Sequence, residues 1–378
     1  METNKKKLKH KILLIVSISV ASVVVITILT AYLMLHSYIN KMNLVSAEVN
    51  LAEESPVEDE ANLQPELSSS IDLADNSESP DISDSPEDEV TSLEEEIRNN
   101  MEANQTPIMQ DKDVFNILLI GSDTRKTDGR RGLSDAMIII SINKKTKTIT
   151  ATSILRDIYL QIPGKQNNRI NAAYALGGAD LLMDTIEQNF KIQVDRYASI
   201  DFFAFIDIVD AVGGVTLEVT EKEIPVINKY ITEINRLTNQ VETLDHLIEP
   251  GTLLLNGKQA LGYARNRYIG NNDFERTARQ RRVLEQVFHK IKDIGLLELN
   301  SLMNKILPQV TTNLTQGEIF SMILSLPSYA KYDLQQWSIP VNGSYSNMRI
   351  RGMAVLGIDF DKNIKEIQKR IYGVEENQ

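Results

Sequence analysis

The 378-residue chain contains no cysteine. Without a thiol there is no disulfide framework, thiol nucleophile, thiolate zinc site or iron–sulfur ligation. Histidine is nearly as scarce, with only His10, His36, His246 and His289 present. The first two flank an apolar run, and the other two lack the serine or acidic setting of a triad. Histidine-based catalysis or metal binding is therefore not expected. P-loop and G-x-G-x-x-G fingerprints are missing, as is any internal repeat. Basic charge is in deficit, 40 Lys and Arg against 52 Asp and Glu, for a net −12. An acidic chain argues against a general nucleic-acid binder.

That deficit is unevenly placed. Residues 1–45 carry +5, residues 46–113 carry −19 and the remaining 265 residues carry +2. Lys5, Lys6, Lys7, Lys9 and Lys11 precede 24 uncharged residues, Ile12 to Leu35. About 20 apolar residues cross a bilayer core as a helix. The lysines in front place residues 1–11 in the cytoplasm and the rest outside. A cleaved signal peptide is the competing reading, but the run is longer than such apolar regions and Val45-Ser46-Ala47 lies well past its end. Residues 12–35 are thus expected to be a transmembrane helix.

Residues 46–113 hold 21 acidic and two basic residues, with scattered proline and serine. This composition predicts an extended, self-repelling, disordered linker, with at most a short helix over 89–101. Residues 114–378 are expected to form one extracellular catalytic domain. Apolar runs predict strands at 114–120, 136–142, 148–154, 196–201, 215–219, 334–339 and 353–358. Helical patterns are read at 171–190 (interrupted at Gly177-Gly178), 202–211, 225–248, 257–263, 273–294, 301–307, 316–324 and 361–371. Interleaved strands and helices indicate an α/β or α+β domain with helices on a central sheet.

Candidate chemistry collects at strand ends. Asp123 follows the first strand and Asp135 opens the second. Two carboxylates at one sheet edge suit Mg²⁺, which keeps waters and completes its shell with phosphate oxygens; from spacing alone the plainer reading is that both are turn or cap residues. Arg156 follows the third strand beside Asp157, placed either for a structural ion pair or for a bidentate phosphate clamp. Between Arg265 and Arg282 there are six arginines within 18 residues. If extended, Arg265 and Arg267 point the same way. On a helix, Asp273, Arg276 and Gln280 share a face with Arg279 beside it. An outside location argues against nucleic acid as the ligand, and planar guanidinium forks suit pyrophosphate.

These stretches resemble the LytR-CpsA-Psr family of cell-envelope phosphotransferases. The resemblance rests on NILLIGSDTR (116–125), SDAM (134–137), SILRD (153–157), RINAAYALGG (169–178), VDAVGGV (209–215) and LNGKQAL (255–261). Arg265, Arg267, Asp273, Arg276, Arg279 and Gln280 follow in matching order. It implies a sandwich of a central mixed β-sheet flanked by α-helices, whose apolar interior holds a lipid tail. It also implies transfer of a polyprenyl-pyrophosphate-linked glycopolymer, such as teichoic acid or capsule, to a peptidoglycan hydroxyl. By this likeness Asp123 and Asp135 hold Mg²⁺, or alternatively Mn²⁺. Arg156, Arg265, Arg267 and Asp273 are the catalytic candidates, and Arg125, Arg276, Arg279 and Gln280 bind substrate. Asp273, or else Asp157, is the candidate base. The setting implied is the membrane of a Gram-positive bacterium. Leu155 and Arg169 depart from the family's usual proline and lysine, and residues 222–250 match nothing recognisable. A hydrolase of lipid-linked pyrophosphates and a non-catalytic polyprenyl-phosphate-binding regulator are the alternatives.

Overall fold

The computed structural model describes residues 43–45, 84–102, 107–123, 131–270, 272–293 and 305–374. The apolar run 12–35 lies outside them. Among the described residues no helix is long and apolar enough to cross a membrane.

The described residues form thirteen strands and eight α-helices. In chain order they are β1 (Asn43–Leu44), α1 (Glu87–Glu102), β2 (Val114–Ser122), β3 (Ser134–Asn143), β4 (Thr148–Ile154), β5 (Tyr159–Leu160) and β6 (Asn168–Arg169). Next come α2 (Ala172–Phe190), β7 (Arg196–Ile200), α3 (Phe202–Ala211), β8 (Val215–Val219), α4 (Glu223–Leu237), β9 (Gly251–Leu255), α5 (Gly257–Arg265) and α6 (Asn272–Asp293). After a 3₁₀ turn at Leu307–Gln309 come β10 (Thr311–Thr312), α7 (Gln316–Tyr329), β11 (Asp333–Ile339), β12 (Tyr345–Ile350), β13 (Met353–Ile358) and α8 (Phe360–Tyr372).

The central sheet has the order β1-β10-β7-β2-β3-β4-β11. It is mixed: β2 runs parallel to β7 and β4 parallel to β11, while β3 is antiparallel to both β2 and β4. The carboxyl ends of β2, β4, β7 and β11 and the start of β3 therefore meet at one edge. Ligands of open α/β sheets bind at such an edge.

Strand side chains alternate between faces. Leu118, Ile120, Met137, Ile139, Ile154, Trp337 and Ile339 point to one face, against Leu182, Ile186 and Phe190 of α2 and Ile364, Ile367 and Ile371 of α8. Ile117, Ile138 and Ile149 point to the other. There Phe115, Leu119, Ile140 and Leu334 stay only half-buried. A smaller core joins α3, β8, α4, β9, α5 and α6 through Val209, Leu217, Ile227, Leu255, Tyr263 and Val283.

The sequence reading differs from the structure in several places. The acidic stretch does not remain outside the fold as far as residue 113. In α1, Leu93 and Ile97 are buried in the main core, and Ser85 exchanges hydrogen bonds with the Arg349 backbone. Apolar residues at 90, 93 and 97 form a helical stripe that the surrounding carboxylates hide in a composition count. Residues 43–45 also belong to the domain, since Asn43 and Leu44 pair with β10. Residues 46–83 lie outside the described part.

The unplaced segment 222–250 is a helix only as far as Leu237. Its remainder is a loop pinned by Asn228 to Leu247 and by Asn235 to Glu242 and Leu244. β9 and β12 carry no recognisable run in the sequence reading. They form because their antiparallel partners, β8 for β9 and β13 for β12, supply the apolar pattern.

Candidate active site

The two candidate metal carboxylates are brought to one place by a strand irregularity. Gly121 pairs with Ala136, but the next pair is Ser122 with Ser134. Asp135 is thus the extra residue of a β-bulge, a device that turns a side chain out of the regular alternation. The Asp123 N–H donates to the Leu133 carbonyl at 3.1 Å, which holds Asp123 across from it.

Asp135 meets Arg156, which leaves the carboxyl end of β4. Arg156 Nη1 donates to Asp135 Oδ1 at 2.9 Å. Burial alone would push the Asp135 carboxyl up, but Arg156, Arg276 and Arg265 outweigh it and hold the pKa at about 2. Asp135 is therefore ionised at neutral pH. The Arg156 Nε lies 3.4 Å from Asp273 Oδ2 and 3.6 Å from Asp157 Oδ1.

Asp273 stands in the first turn of α6, with Arg276 one turn on. Arg276 Nη2 donates to Asp273 Oδ2 at 3.1 Å. Asp157 and Asp273 hydrogen-bond to each other. Two carboxyl groups at this range hold one proton between them, and their surroundings decide where it rests. Burial opposes ionisation of both. For Asp273 the Arg276 and Arg156 charges win and lower its pKa. For Asp157, burial and the Asp273 charge win over Arg156 and Arg169 and raise it. Of the two, Asp157 is the carboxyl whose surroundings favour the protonated form.

Arg265, the last residue of α5, has its guanidinium between two aromatic rings, 4.4 Å from the Phe202 centroid and 4.5 Å from that of Tyr230. Its Nη1 lies 3.5 Å from Glu233. Tyr230 and Glu233 both belong to α4. Helix α5 is fixed by a reciprocal cap between Asn256 and Gln259 and by its close approach to α3. A Cβ at Gly257 would collide with the Ile206 carbonyl. Arg265 and Arg267 are not on an extended segment: Arg265 is helical, Asn266 caps the helix, and Arg267 follows in the loop over the Tyr268 ring at 5.5 Å. Gln280 reaches the site through a contact of 3.5 Å from its Nε2 to the Asp135 carbonyl.

Arg279 is not where the sequence reading put it. Its Nε donates to Glu223 at 2.9 Å, Nη1 to the Asn266 carbonyl at 3.0 Å and Nη2 to the Ile269 carbonyl at 2.9 Å. The side chain is 3% exposed. All three of its nitrogens are bonded within the protein, so it clamps the loop carrying Arg267 and does not meet substrate. Arg125 lies outside the described residues.

The structure thus joins Asp123, Asp135, Arg156, Arg267, Asp273, Arg276 and Gln280 at one edge, with Arg265 alongside. It brings in Asp157, the alternative candidate base, with its partner Arg169, and adds the cage of Phe202, Tyr230 and Glu233, which no motif marks. Among the described residues the Nε of Arg276 is buried without a hydrogen-bond partner, while that of Arg156 makes only the longer ion-pair contacts with Asp273 and Asp157. Buried guanidinium donors left unpaired are suited to an added anion. No cluster of three or more acidic or histidine side chains is placed to hold a metal among the described residues. The carboxylates of Asp123 and Asp135 suit Mg²⁺ bound jointly with substrate phosphate, and not a site built from protein alone.

The LytR_cpsA_psr family model matches residues 79–371. Biofilm regulatory protein A of Streptococcus mutans is 34% identical over 256 residues, 62% of this chain and 60% of that protein. A polyisoprenyl-teichoic acid–peptidoglycan teichoic acid transferase, TagU of Enterococcus faecalis, is 37% identical over 212 residues, 54% of this chain and 62% of that protein. The chain therefore spans about three fifths of the length of these relatives. A solved family structure, YwtF (TagT) with bound octaprenyl pyrophosphate lipid, superimposes with TM-score 0.52 at 26% identity, covering 71% of this chain and 95% of that one.

Proposed function

The chain belongs to the LytR_cpsA_psr family, and from that premise we propose that it transfers a polyprenyl-pyrophosphate-linked glycopolymer to a peptidoglycan hydroxyl. The observation that carries this reading is the pairing of two features. Buried arginines, Arg276 among them with an unpaired Nε donor, sit at the carboxyl edge of the sheet. The second sheet face leading to that edge is apolar and only partly covered. A pyrophosphate on a polyprenyl tail needs both. The similarity to a protein that binds octaprenyl pyrophosphate, and to one named for teichoic acid transfer, supports the same substrate class.

In this mechanism Arg156, Arg276 and Arg267 hold the pyrophosphate oxygens and stabilise charge that grows in the transition state. The acceptor hydroxyl attacks the phosphorus attached to the glycan. A new P–O bond forms, the bridging P–O bond breaks, and polyprenyl monophosphate leaves. The hydroxyl proton passes to a carboxylate. Asp273, held ionised by two arginines, is a weak base suited to orienting them. Asp157, whose pKa is raised, is the better-tuned acceptor once it has lost its own proton. Asp123 and Asp135 would hold Mg²⁺, which when bound supplies charge neutralisation at the leaving oxygens. Residues 12–35 serve as the membrane span, with the domain outside the cell.

The test uses the full chain in detergent with a lipid-pyrophosphate saccharide and Mg²⁺. Release of polyprenyl monophosphate is read with and without a peptidoglycan fragment. Release that requires the acceptor supports transfer. Equal release without it indicates a hydrolase, and binding without release a regulatory lipid-binding protein.

A further inference from the structure

Helix α7 is an unusual surface element. It carries one charge, Glu318, in fourteen residues. That charge is taken by Arg196, at 2.9 and 2.7 Å, and by the Thr315 cap. Ile319 is its one buried residue. Phe320 is 38% exposed, Leu324 65% and Leu326 38%. Phe320 and Leu324 stand four apart, on the same side of the helix. A helix facing bulk water ordinarily places charge on its outer side.

Its position in the fold says what covers it. α7 follows β10 after three residues, and β10 pairs with β1. The Val45 N–H extends that pairing to the Thr312 carbonyl at 3.0 Å. The uncharged run ends at Leu35, eight residues before Asn43. Eight residues span at most roughly 28 Å. If the run crosses the bilayer, the β1–β10 edge cannot stand farther than that from its end. The acidic segment 46–83 lies beyond β1 and returns to the domain at Asp84, whose Oδ1 accepts from the Gly352 N–H at 2.9 Å. Its two flanks, Val45 and Asp84, are both bonded to the domain, so the number of residues between them does not set the distance between domain and membrane.

We propose that α7 docks on the outer surface of the lipid bilayer, with Phe320, Leu324 and Leu326 in the interfacial zone. This rests on the reading of residues 12–35 as a membrane span. Docking fixes the orientation of the domain and sets the sheet edge with its arginines at a constant height above the lipid donor.

Because the chain lacks cysteine, a single introduced thiol reports alone. Full-length chains carrying Leu324→Cys, or Arg98→Cys on α1 as a reference, are labelled with a fluorophore. They are then reconstituted into liposomes of phosphatidylglycerol and phosphatidylethanolamine. The expected result is at least threefold stronger quenching of the 324 label by lipid-borne nitroxide than of the 98 label, with the reverse order for aqueous iodide. Iodide reaching 324 as readily as 98, in chains that resist alkaline carbonate extraction, overturns docking and leaves the span intact. Extraction by carbonate overturns both. Shielding of 324 from iodide without lipid quenching also overturns the proposal and points to a second copy of the chain or a protein partner.

Discussion

Arg156 Nη1 and Asp135 Oδ1 lie 2.9 Å apart, joining the end of β4 to a bulged residue at the start of β3. The same guanidinium reaches Asp157 and Asp273 at 3.6 and 3.4 Å. One arginine therefore holds three acids in place. Replacing it by alanine leaves the buried Asp135 carboxylate without its hydrogen-bond partner, while Asp273 keeps Arg276 and Asp157 keeps Arg169. Such losses typically cost about 3–5 kcal/mol. Arg156→Ala is expected to lower the thermal midpoint as well as abolish transfer, as read by thermal unfolding beside the activity assay.

Arg267 is expected to separate these two effects. It sits in the loop after α5, over the Tyr268 ring. Arg267→Ala should reduce transfer by about 10²–10³, the usual effect of removing one transition-state donor. Its unfolding transition should stay near that of the unaltered chain. A matching loss of stability would move Arg267 from substrate contact to scaffold.

Arg279 makes the opposite case. Its bond to Glu223 is buried on both sides, 3% and 6% exposed. Arg279→Met should cost about 3–5 kcal/mol by stranding Glu223. Adding Glu223→Gln should recover part of that loss, because the two side chains act as one unit. Denaturant unfolding of the two single variants and the double variant measures this coupling.

The contrast shows what the sequence makes legible. Asp123, Asp135 and Arg156 are readable because each abuts an apolar run that announces a strand end. The role of Arg279 is not, because its partner Glu223 lies 56 residues earlier on α4. The segment 222–250, which matches no motif, supplies Glu223, which holds the loop-clamping Arg279, and Tyr230 and Glu233, which hold Arg265. α1 was masked by its carboxylates, although Val90, Leu93 and Ile97 keep the spacing of a buried stripe. The conformation of Arg265 and Arg267 depends on where α5 ends. That end is set by packing on α3 and by the cap at Asn266, which local sequence does not display.

The aromatic cage supplies a test of α4. A guanidinium over an aromatic face gains about 0.5–2 kcal/mol. Tyr230→Leu should lower the turnover number up to tenfold or somewhat more while changing KM little, and Tyr230→Phe should restore it. If Tyr230→Phe is as impaired as Tyr230→Leu, the phenol oxygen and not the ring is what Arg265 uses.

The pH dependence follows from Asp157. Its carboxyl is pushed up by burial first and by Asp273 next. Its contribution to stability is full below the unfolded carboxylate value of about 3.9 and is lost as pH rises through the higher folded value. Asp157→Asn should therefore be more stable than the unaltered chain at neutral pH, with the difference fading below about pH 4. The transfer rate should rise with pH as Asp157 loses its proton, with an acid limb above the ordinary carboxylate range. Asp157→Asn should remove that limb together with most of the activity. Unfolding and rate profiles from pH 3 to 8 measure both.

The central claim is transfer, and the mass of the acceptor decides it. The full chain is incubated with a lipid-pyrophosphate saccharide, a peptidoglycan fragment and Mg²⁺, and the fragment is then isolated. The account predicts a fragment heavier by one saccharide joined through a phosphodiester, with equimolar polyprenyl monophosphate. It predicts none of this product with Arg267→Ala. An unmodified fragment beside free saccharide phosphate would contradict it.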